Sequence, residues 1–149
     1  MPYTYQYPRP AVTVDIILIK NIAAAKEILL IQRGIEPFKG MWALPGGFVE
    51  MDETLKQAAM RELKEETGLE NIALTQFRTY GDPNRDPRHR TISVVFYSII
   101  ISAIDLKPIA GDDASNVKWF HISDLPDLAF DHEQIILEAL EFIDQTDPN

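Results

Sequence analysis

The sequence predicts an α+β fold in which a mixed β-sheet lies between helices, an arrangement also described as an α/β/α sandwich. Short runs rich in Val and Ile are separated by polar turns, two longer segments carry helical signals, and the predicted order is strands, helix, strands, helix. The 149 residues are enough for one compact domain with a buried core. We expect that domain to span residues 1–149.

The first part of the chain predicts two strands and a loop region. Residues 11–20 and 27–32 are rich in Val and Ile, and a polar, Ala-rich connection around residues 21–26 separates them. The stretch 34–47 combines prolines and glycines with the more apolar residues 41–44. Since Gly and Pro interrupt regular structure, this stretch predicts a loop, a short strand and a second loop.

A long helix follows this loop region. Asp52 is a favourable N-cap residue and Gly68 suits the left-handed position that ends many helices. No Gly or Pro lies between them. Within this helix, Glu62, Glu65 and Glu66 are spaced i, i+3, i+4, so they cluster within about 100° on one face.

The second half of the chain predicts further strands and one more helix. Three segments have strand character: residues 74–80, 91–101 and 117–120. A polar loop, residues 81–90, joins the first two of these strands. Asp131 followed by Gln134 is typical of a capping box, so we expect the second helix to begin there.

Composition and charge restrict the classes of function. The chain contains no cysteine, so any metal site must use carboxylate, imidazole or carbonyl ligands. The net charge of −9 disfavours nucleic-acid binding, because the phosphate backbone would be repelled. Neither a membrane span nor a signal peptide is visible in the sequence. We therefore expect a cytoplasmic protein with a small-molecule substrate.

The three clustered glutamates have two interpretations. Like charges at this spacing destabilise a helix by a few tenths of a kcal/mol per pair, which a divalent cation would offset. Apolar residues on or beside the same stripe indicate that the carboxylates face the protein body. The alternative is a solvated acidic helix face.

The flanking sequence favours the metal-binding interpretation. Residues 47–69 read GFVEMDETLKQAAMRELKEETGL, which resembles the signature of the Nudix hydrolases at all nine specified positions. This resemblance implies a Nudix fold and hydrolysis of a nucleoside diphosphate linked to another group, X. It also implies an Mg²⁺ or Mn²⁺ site whose ligands are Glu62, Glu65, Glu66 and the Gly46 carbonyl. Arg61, with Glu53, resembles a pair that braces the catalytic helix against the preceding loop.

The general base that deprotonates the attacking water remains open at this stage. The candidates are Glu65 and, from the loop before the last strand, Asp112 or Asp113. A simple turn built on the Gly-Asp-Asp sequence is an equally good explanation of that loop.

The polar loop 81–90 suggests the substrate. Arg85 and Arg88 stand out in an otherwise acidic chain and could hold phosphate, although pairing with Asp86 in a structured turn is the alternative. Trp42 and Phe38 are candidate stacking partners for a base, and core packing is the competing role for Trp42.

The polar loop and the segment 125–136 together are similar to the ADP-ribose pyrophosphatase-like branch of the family. That similarity implies conversion of ADP-ribose to AMP and ribose 5-phosphate. Alternatives are a different dinucleotide, a modified nucleoside triphosphate, or a non-catalytic ADP-ribose sensor, for whose DNA-binding domain we expect no room. By family resemblance we expect a homodimer, with Tyr3, Tyr5 and Tyr7 either at its interface or in a frayed tail.

Overall fold

A mixed β-sheet forms the centre of the fold in the computed structural model, which describes residues 2–22, 25–101, 106–111 and 113–146. Its strands are β1 (Ala11–Ile22), β2 (Ala25–Arg33), β3 (Trp42–Ala43), β4 (Gly46–Phe48), β5 (Thr75–Tyr80), β6 (Thr91–Ile100) and β7 (Ala114–His121). The helices are α1 (Leu55–Thr67) and α2 (His132–Thr146). No helix in these described ranges is long and apolar enough to cross a membrane.

The strand order is β3-β2-β1-β6-β5, with β4 paired to β1 and β7 paired to β2. β1 and β6 run parallel over ten residue pairs, from Ala11 with Thr91 to Lys20 with Ile100. The other strand pairs are antiparallel. The predicted mixed sheet is confirmed.

The two faces of the sheet carry separate hydrophobic cores. Alternate residues of β1 divide between them: Val14, Ile16 and Leu18 pack on the α1 side, whereas Ile17 and Ile19 pack on the α2 side. A strand buried on both faces reads as a continuous apolar run, as this one does. The helices therefore cover opposite faces, which confirms the predicted sandwich.

The predicted start of α1 was wrong by two residues. The N-cap is Thr54 and not Asp52: the Thr54 hydroxyl accepts a hydrogen bond from the Gln57 N–H at 3.1 Å. The Gln57 side chain in turn accepts from the Thr54 N–H at 2.8 Å, which completes a capping box. The predicted end is correct, since Gly68 adopts φ 75° and its N–H donates to the Lys64 carbonyl at 2.8 Å.

The predicted capping box of α2 was also wrong. The helix begins at His132, but the Asp131 carboxylate accepts hydrogen bonds from Arg85. The Gln134 side chain donates to Glu138 instead of reaching back to the helix start. A long-range ion pair has replaced the local interaction that the sequence suggested.

Four strands differ from the prediction, two of them because β1 continues to Ile22 and β2 begins at Ala25, within the predicted connection. β4 lies in a stretch predicted as loop, because its two glycines form a strand only by pairing with β1. β7 runs over eight residues and not only over residues 117–120. Its additional residues Ser115 and Asn116 are polar and exposed, so no apolar run marks them as a strand.

Candidate active site

A cleft of about 370 Å³ lies where β1, β4 and α1 meet the loop 81–90 and the start of α2. Of the eight buried polar or charged residues in the described chain, seven line this cleft. They are Thr13, Asp15, Glu62, Asp86, Thr91, Ser93 and His132. Because burying polar groups is costly, their concentration here indicates a functional site.

The glycines of β4 allow two carboxylates to approach the backbone. A Cβ on Gly47 would overlap the Glu62 carboxylate, and a Cβ on Gly46 would overlap the Val14 carbonyl and the Asp15 carboxylate. The Gly46 N–H donates a hydrogen bond to Glu66 Oε2 at 3.3 Å. Gly46 is therefore required because a Cβ would clash with the backbone of β1, whereas a Cβ on Gly47 would displace the Glu62 carboxylate.

Glu62 and Glu66 share this cleft without enough positive charge to balance them. Burial and, to a smaller extent, the neighbouring Glu62 raise the pKa of Glu66 to about 8, against the effect of the Gly46 hydrogen bond. Burial likewise raises the pKa of Glu62, although Arg61 opposes this change. A bound divalent cation would favour the charged form of both groups.

The residues present fit such a cation as an open set of oxygen donors. Among the described residues, no three acidic, histidine or cysteine side chains already converge into a metal cage. The fitting donors are the Glu62 and Glu66 carboxylates together with the Gly46 carbonyl. An oxygen-only set suits Mg²⁺ and similar hard cations, which usually retain water and substrate phosphate among their ligands.

Arg61 connects α1 to the loop before it. Its guanidinium donates to Glu53 Oε1 at 2.6 Å and Oε2 at 3.0 Å, and also to the Phe48 carbonyl at 3.0 Å. The same group donates to Glu62 at 2.9 Å and to Glu65 at 3.1 Å. The Glu65 side chain is thus held by Arg61 and is 41% exposed, and it is not among the described residues that line the cleft.

The loop before β7 brings a further carboxylate to the cleft. Asp113 is exposed and lies at the cleft wall. Its carbonyl accepts a hydrogen bond from the Gly34 N–H at 3.0 Å, which ties the loop to the end of β2. The alternative candidate, Asp112, lies outside the described residues.

The two arginines proposed to hold substrate both have carboxylate partners in the structure. Arg85 is 6% exposed and donates to both oxygens of Asp131, at 2.9 and 2.7 Å. Arg88 donates to both oxygens of Asp86, at 3.0 and 2.8 Å. Burial would raise the pKa of Asp86, but the Arg88 hydrogen bonds outweigh it and hold the pKa at about 2.

The two aromatic candidates lie outside the cleft. Trp42 packs edge-on against Phe120, with ring centroids 4.7 Å apart, as part of the core on the α2 side. Phe38 packs against Phe130 at 4.8 Å. Of these rings, Phe130 lines the cleft, as does Phe48.

Arg33 is a cleft residue that the sequence interpretation missed. Its Nε donates to the Pro37 carbonyl at 2.7 Å, and its guanidinium lies 5.0 Å from the Phe130 ring centroid. Among the described residues, no carboxylate lies within ion-pair distance of it, unlike Arg61, Arg85 and Arg88. Burial and the nearby Arg88 lower its pKa. The sequence feature that could have identified Arg33 is a basic residue at the end of an apolar strand.

Asp15 and His132 form the floor of the cleft and were also missed. Asp15 is 7% exposed and His132 is 5% exposed, and their side chains approach within 3.8 Å. Burial raises the pKa of Asp15, and the opposing influence of His132 and Arg85 is smaller. Asp15 is the one acidic residue in the apolar run of β1, which was its sequence signal.

Comparisons with known proteins show the family to which the chain belongs. The model of the NUDIX domain matches residues 9–139. The ADP-ribose pyrophosphatase of Methanocaldococcus jannaschii is 48% identical over 136 residues, which cover 91% of this chain and 76% of that protein.

Solved structures that share this fold give the same family relationship. The NUDIX domain of Shewanella oneidensis NrtR, crystallised with ADP ribose, has a TM-score of 0.82 and 34% identity, covering 92% of this chain and 90% of that one. A bifunctional NMN adenylyltransferase/ADP ribose pyrophosphatase from Francisella tularensis has a TM-score of 0.81 and 36% identity, covering 92% and 42%. With the family model matching most of its length, the chain belongs to the Nudix family of hydrolases.

Proposed function

We propose that the protein hydrolyses ADP-ribose to AMP and ribose 5-phosphate, with Mg²⁺ or Mn²⁺ as the metal ion. Water adds across the diphosphate, one P–O bond breaks, and each product keeps one phosphate. The main support is one cleft that contains the Glu62 and Glu66 carboxylates, whose pKa values burial raises, together with the Arg33 guanidinium. The name of the Methanocaldococcus relative and the ADP ribose complex of the Shewanella domain favour this substrate.

Glu62, Glu66 and the Gly46 carbonyl would hold the divalent cations that Nudix hydrolases generally use. When bound, such ions neutralise the diphosphate charge and lower the pKa of a water molecule. The hydrogen bond from the Gly46 N–H orients one oxygen of Glu66. Arg61 acts as a brace: by engaging Glu53 and the Phe48 carbonyl, it fixes α1 against β4.

Arg33 binds a phosphate oxygen of the substrate. Its guanidinium is anchored by the Pro37 carbonyl and the Phe130 ring, which leaves its remaining N–H donors available to an anion. Arg88 lies 5.4 Å from the Phe48 ring and 5.6 Å from the Phe130 ring, measured to the centroids. We assign Arg88 to the wall of the substrate cleft and Arg85 to its support, because both guanidinium groups are paired but the Arg88 side chain is 34% exposed and the Arg85 side chain only 6%.

Asp113 is the proposed general base and takes a proton from the attacking water at its carboxylate oxygen. It reaches the cleft from an exposed loop, whereas the Glu65 carboxylate is engaged by Arg61. The loop that carries Asp113 is fixed to β2 through Gly34. This arrangement favours Asp113 over Glu65 for proton transfer.

We further propose that the protein acts in the cytoplasm as a homodimer and does not bind nucleic acid. Three N-terminal tyrosines support an interface, since Tyr3, Tyr5 and Tyr7 are 68%, 42% and 71% exposed. The net charge of −9 opposes contact with a phosphate backbone. Light scattering that gives the mass of two chains, and of one chain after Tyr3 and Tyr7 are replaced by Ser, would support this assembly.

Product analysis tests the proposed activity. ADP-ribose, NADH, diadenosine polyphosphates and nucleoside triphosphates are incubated with wild type and Glu66→Gln in Mg²⁺ or Mn²⁺. AMP release from ADP-ribose that needs metal and is lost in the variant is the expected result. Turnover of a different compound alone would refute ADP-ribose as the substrate. Binding of ADP-ribose without turnover would instead favour a sensor, since a relative in Acinetobacter baylyi is named an ADPR responsive transcriptional repressor.

A further inference from the structure

Among the described residues, Asp15 is a buried cleft carboxylate that has a hydrogen bond from Ser93 but no ion pair closer than 3.8 Å. It is 7% exposed and lines the cleft from β1. Its nearest basic group is His132 Nε2, at 3.8 Å, beyond the distance of a hydrogen bond. The Arg85 guanidinium is engaged by Asp131 and Ser93, and the Ser93 hydroxyl also bonds Thr13.

His132 does not neutralise this carboxylate. Its Nδ1 accepts a hydrogen bond from the Leu44 N–H at 3.0 Å, so the neutral ring carries its proton on Nε2. This nitrogen lies 3.8 Å from the Asp15 carboxylate, beyond hydrogen-bond distance. The Ser93 hydroxyl provides one hydrogen bond to this carboxylate, which leaves further acceptor sites at the cleft for a donor from the ligand.

The position of Asp15 restricts which part of the substrate can supply the donor. Gly46 separates Asp15 from Glu66: the Asp15 carboxylate packs against the Gly46 Cα, and the Gly46 N–H donates to Glu66. A group bound at Asp15 therefore lies next to the diphosphate. In ADP-ribose the ribose hydroxyls are a few covalent bonds of about 1.5 Å from phosphorus, whereas the adenine amino group is much farther away.

We propose that Asp15 is a substrate-binding residue that accepts a hydrogen bond from a ribose hydroxyl beside the scissile diphosphate. This inference rests on the proposed function, and it adds a residue that recognises the ribose of the substrate. Thr13 and Ser93 hold the neighbouring wall in place through their mutual hydrogen bond. Both riboses of ADP-ribose have suitable hydroxyls. The proposed contact is the same for either ribose: a hydroxyl donates a hydrogen bond to the buried Asp15 carboxylate.

A cycle of enzyme and substrate changes tests the contact. Kinetics are measured for wild type, Asp15→Ala and Asp15→Asn on ADP-ribose, on its analogue lacking the adenosine 2′-hydroxyl, and on analogues lacking a hydroxyl of the terminal ribose. We expect Asp15→Ala to lower kcat/KM for ADP-ribose about tenfold to 100-fold. On the analogue that lacks the contacted hydroxyl, the same variant should lose less than about threefold. The analogue showing this pattern identifies the ribose.

Three results would overturn the inference. Equal losses on every analogue would mean that Asp15 acts through the fold and not through a hydroxyl. Weaker binding of Mn²⁺ to Asp15→Asn without substrate would make Asp15 a metal-site residue. Asp144→Asn is the matched control, because Asp144 pairs with Lys26 at the surface. If wild type fails to hydrolyse ADP-ribose, the proposed function fails and this inference fails with it, whereas active wild type isolates the Asp15 question.

Discussion

Glu66→Gln should stabilise the metal-free protein while removing its response to metal. The wild-type carboxylate lies in the cleft beside Glu62, and burial followed by that neighbour raises its pKa to about 8 from 4.5. Glutamine keeps the shape and an oxygen that accepts from the Gly46 N–H. It removes only the group whose charged form the folded protein disfavours.

The sign and size of this stability difference between Glu66→Gln and wild type follow from proton linkage. Between pH 4.5 and pH 8 the folded state binds more protons at Glu66 than the unfolded state, so wild-type stability falls as pH rises through this range. At 1.36 kcal/mol per pH unit, the loss by pH 7 is about 3 kcal/mol. For a chain of this size, 1 kcal/mol corresponds to about 2–4 °C in Tm. Metal-free Glu66→Gln should therefore melt roughly 6–12 °C above wild type at pH 7.

Thermal unfolding in EDTA and in Mg²⁺, at pH 4.5 and pH 7, measures this effect. In EDTA the advantage of the variant should shrink to less than about 0.5 kcal/mol at pH 4.5, where the carboxyl is neutral in the folded state and half ionised in the unfolded state. Mg²⁺ at 100 times its Kd should raise wild-type stability by about 2.7 kcal/mol and leave the variant almost unchanged. Glu70→Gln, an exposed change, is the control. A metal-free variant less stable than wild type at pH 7, or equally stabilised by Mg²⁺, would refute the reasoning.

Three further predictions concern other parts of the cleft. Arg33→Lys should raise KM for ADP-ribose about tenfold or more with a smaller change in kcat, because lysine cannot make the planar bidentate hydrogen bonds of a guanidinium. An unchanged KM in steady-state kinetics would argue against phosphate binding by Arg33. Gly47→Ala should abolish Mn²⁺ binding measured by calorimetry, since a Cβ there overlaps Glu62; normal affinity would be inconsistent with that contact. Asp86→Asn should lower the free energy of urea unfolding by about 2 kcal/mol at pH 6, because the pKa of Asp86 is held at about 2. That difference should shrink as pH falls from 3.8 through 2, and a pH-independent difference would contradict the assignment.

The sequence alone determined the catalytic helix and the family. The helix is local, so its end at Gly68 and the spacing of Glu62, Glu65 and Glu66 follow from residues close in the chain. Its start was missed because Asp52 and Thr54 are both good caps, and Gln57 decides between them. The layered architecture was also predictable, since apolar runs imply strands buried on both faces.

Only the tertiary structure decided the rest of the cleft. Asp15 and His132 lie far apart in sequence and meet because β1 and the start of α2 pack against the same loop. The local pair of Arg88 with Asp86 was among the sequence alternatives, but the pairing of Arg85 with Asp131, 46 residues away, was not, nor was the lack of an ion-paired carboxylate at Arg33 among the described residues. Sequence chemistry identifies which side chains can bind a phosphate, but long-range pairing determines which of them stay available to do so.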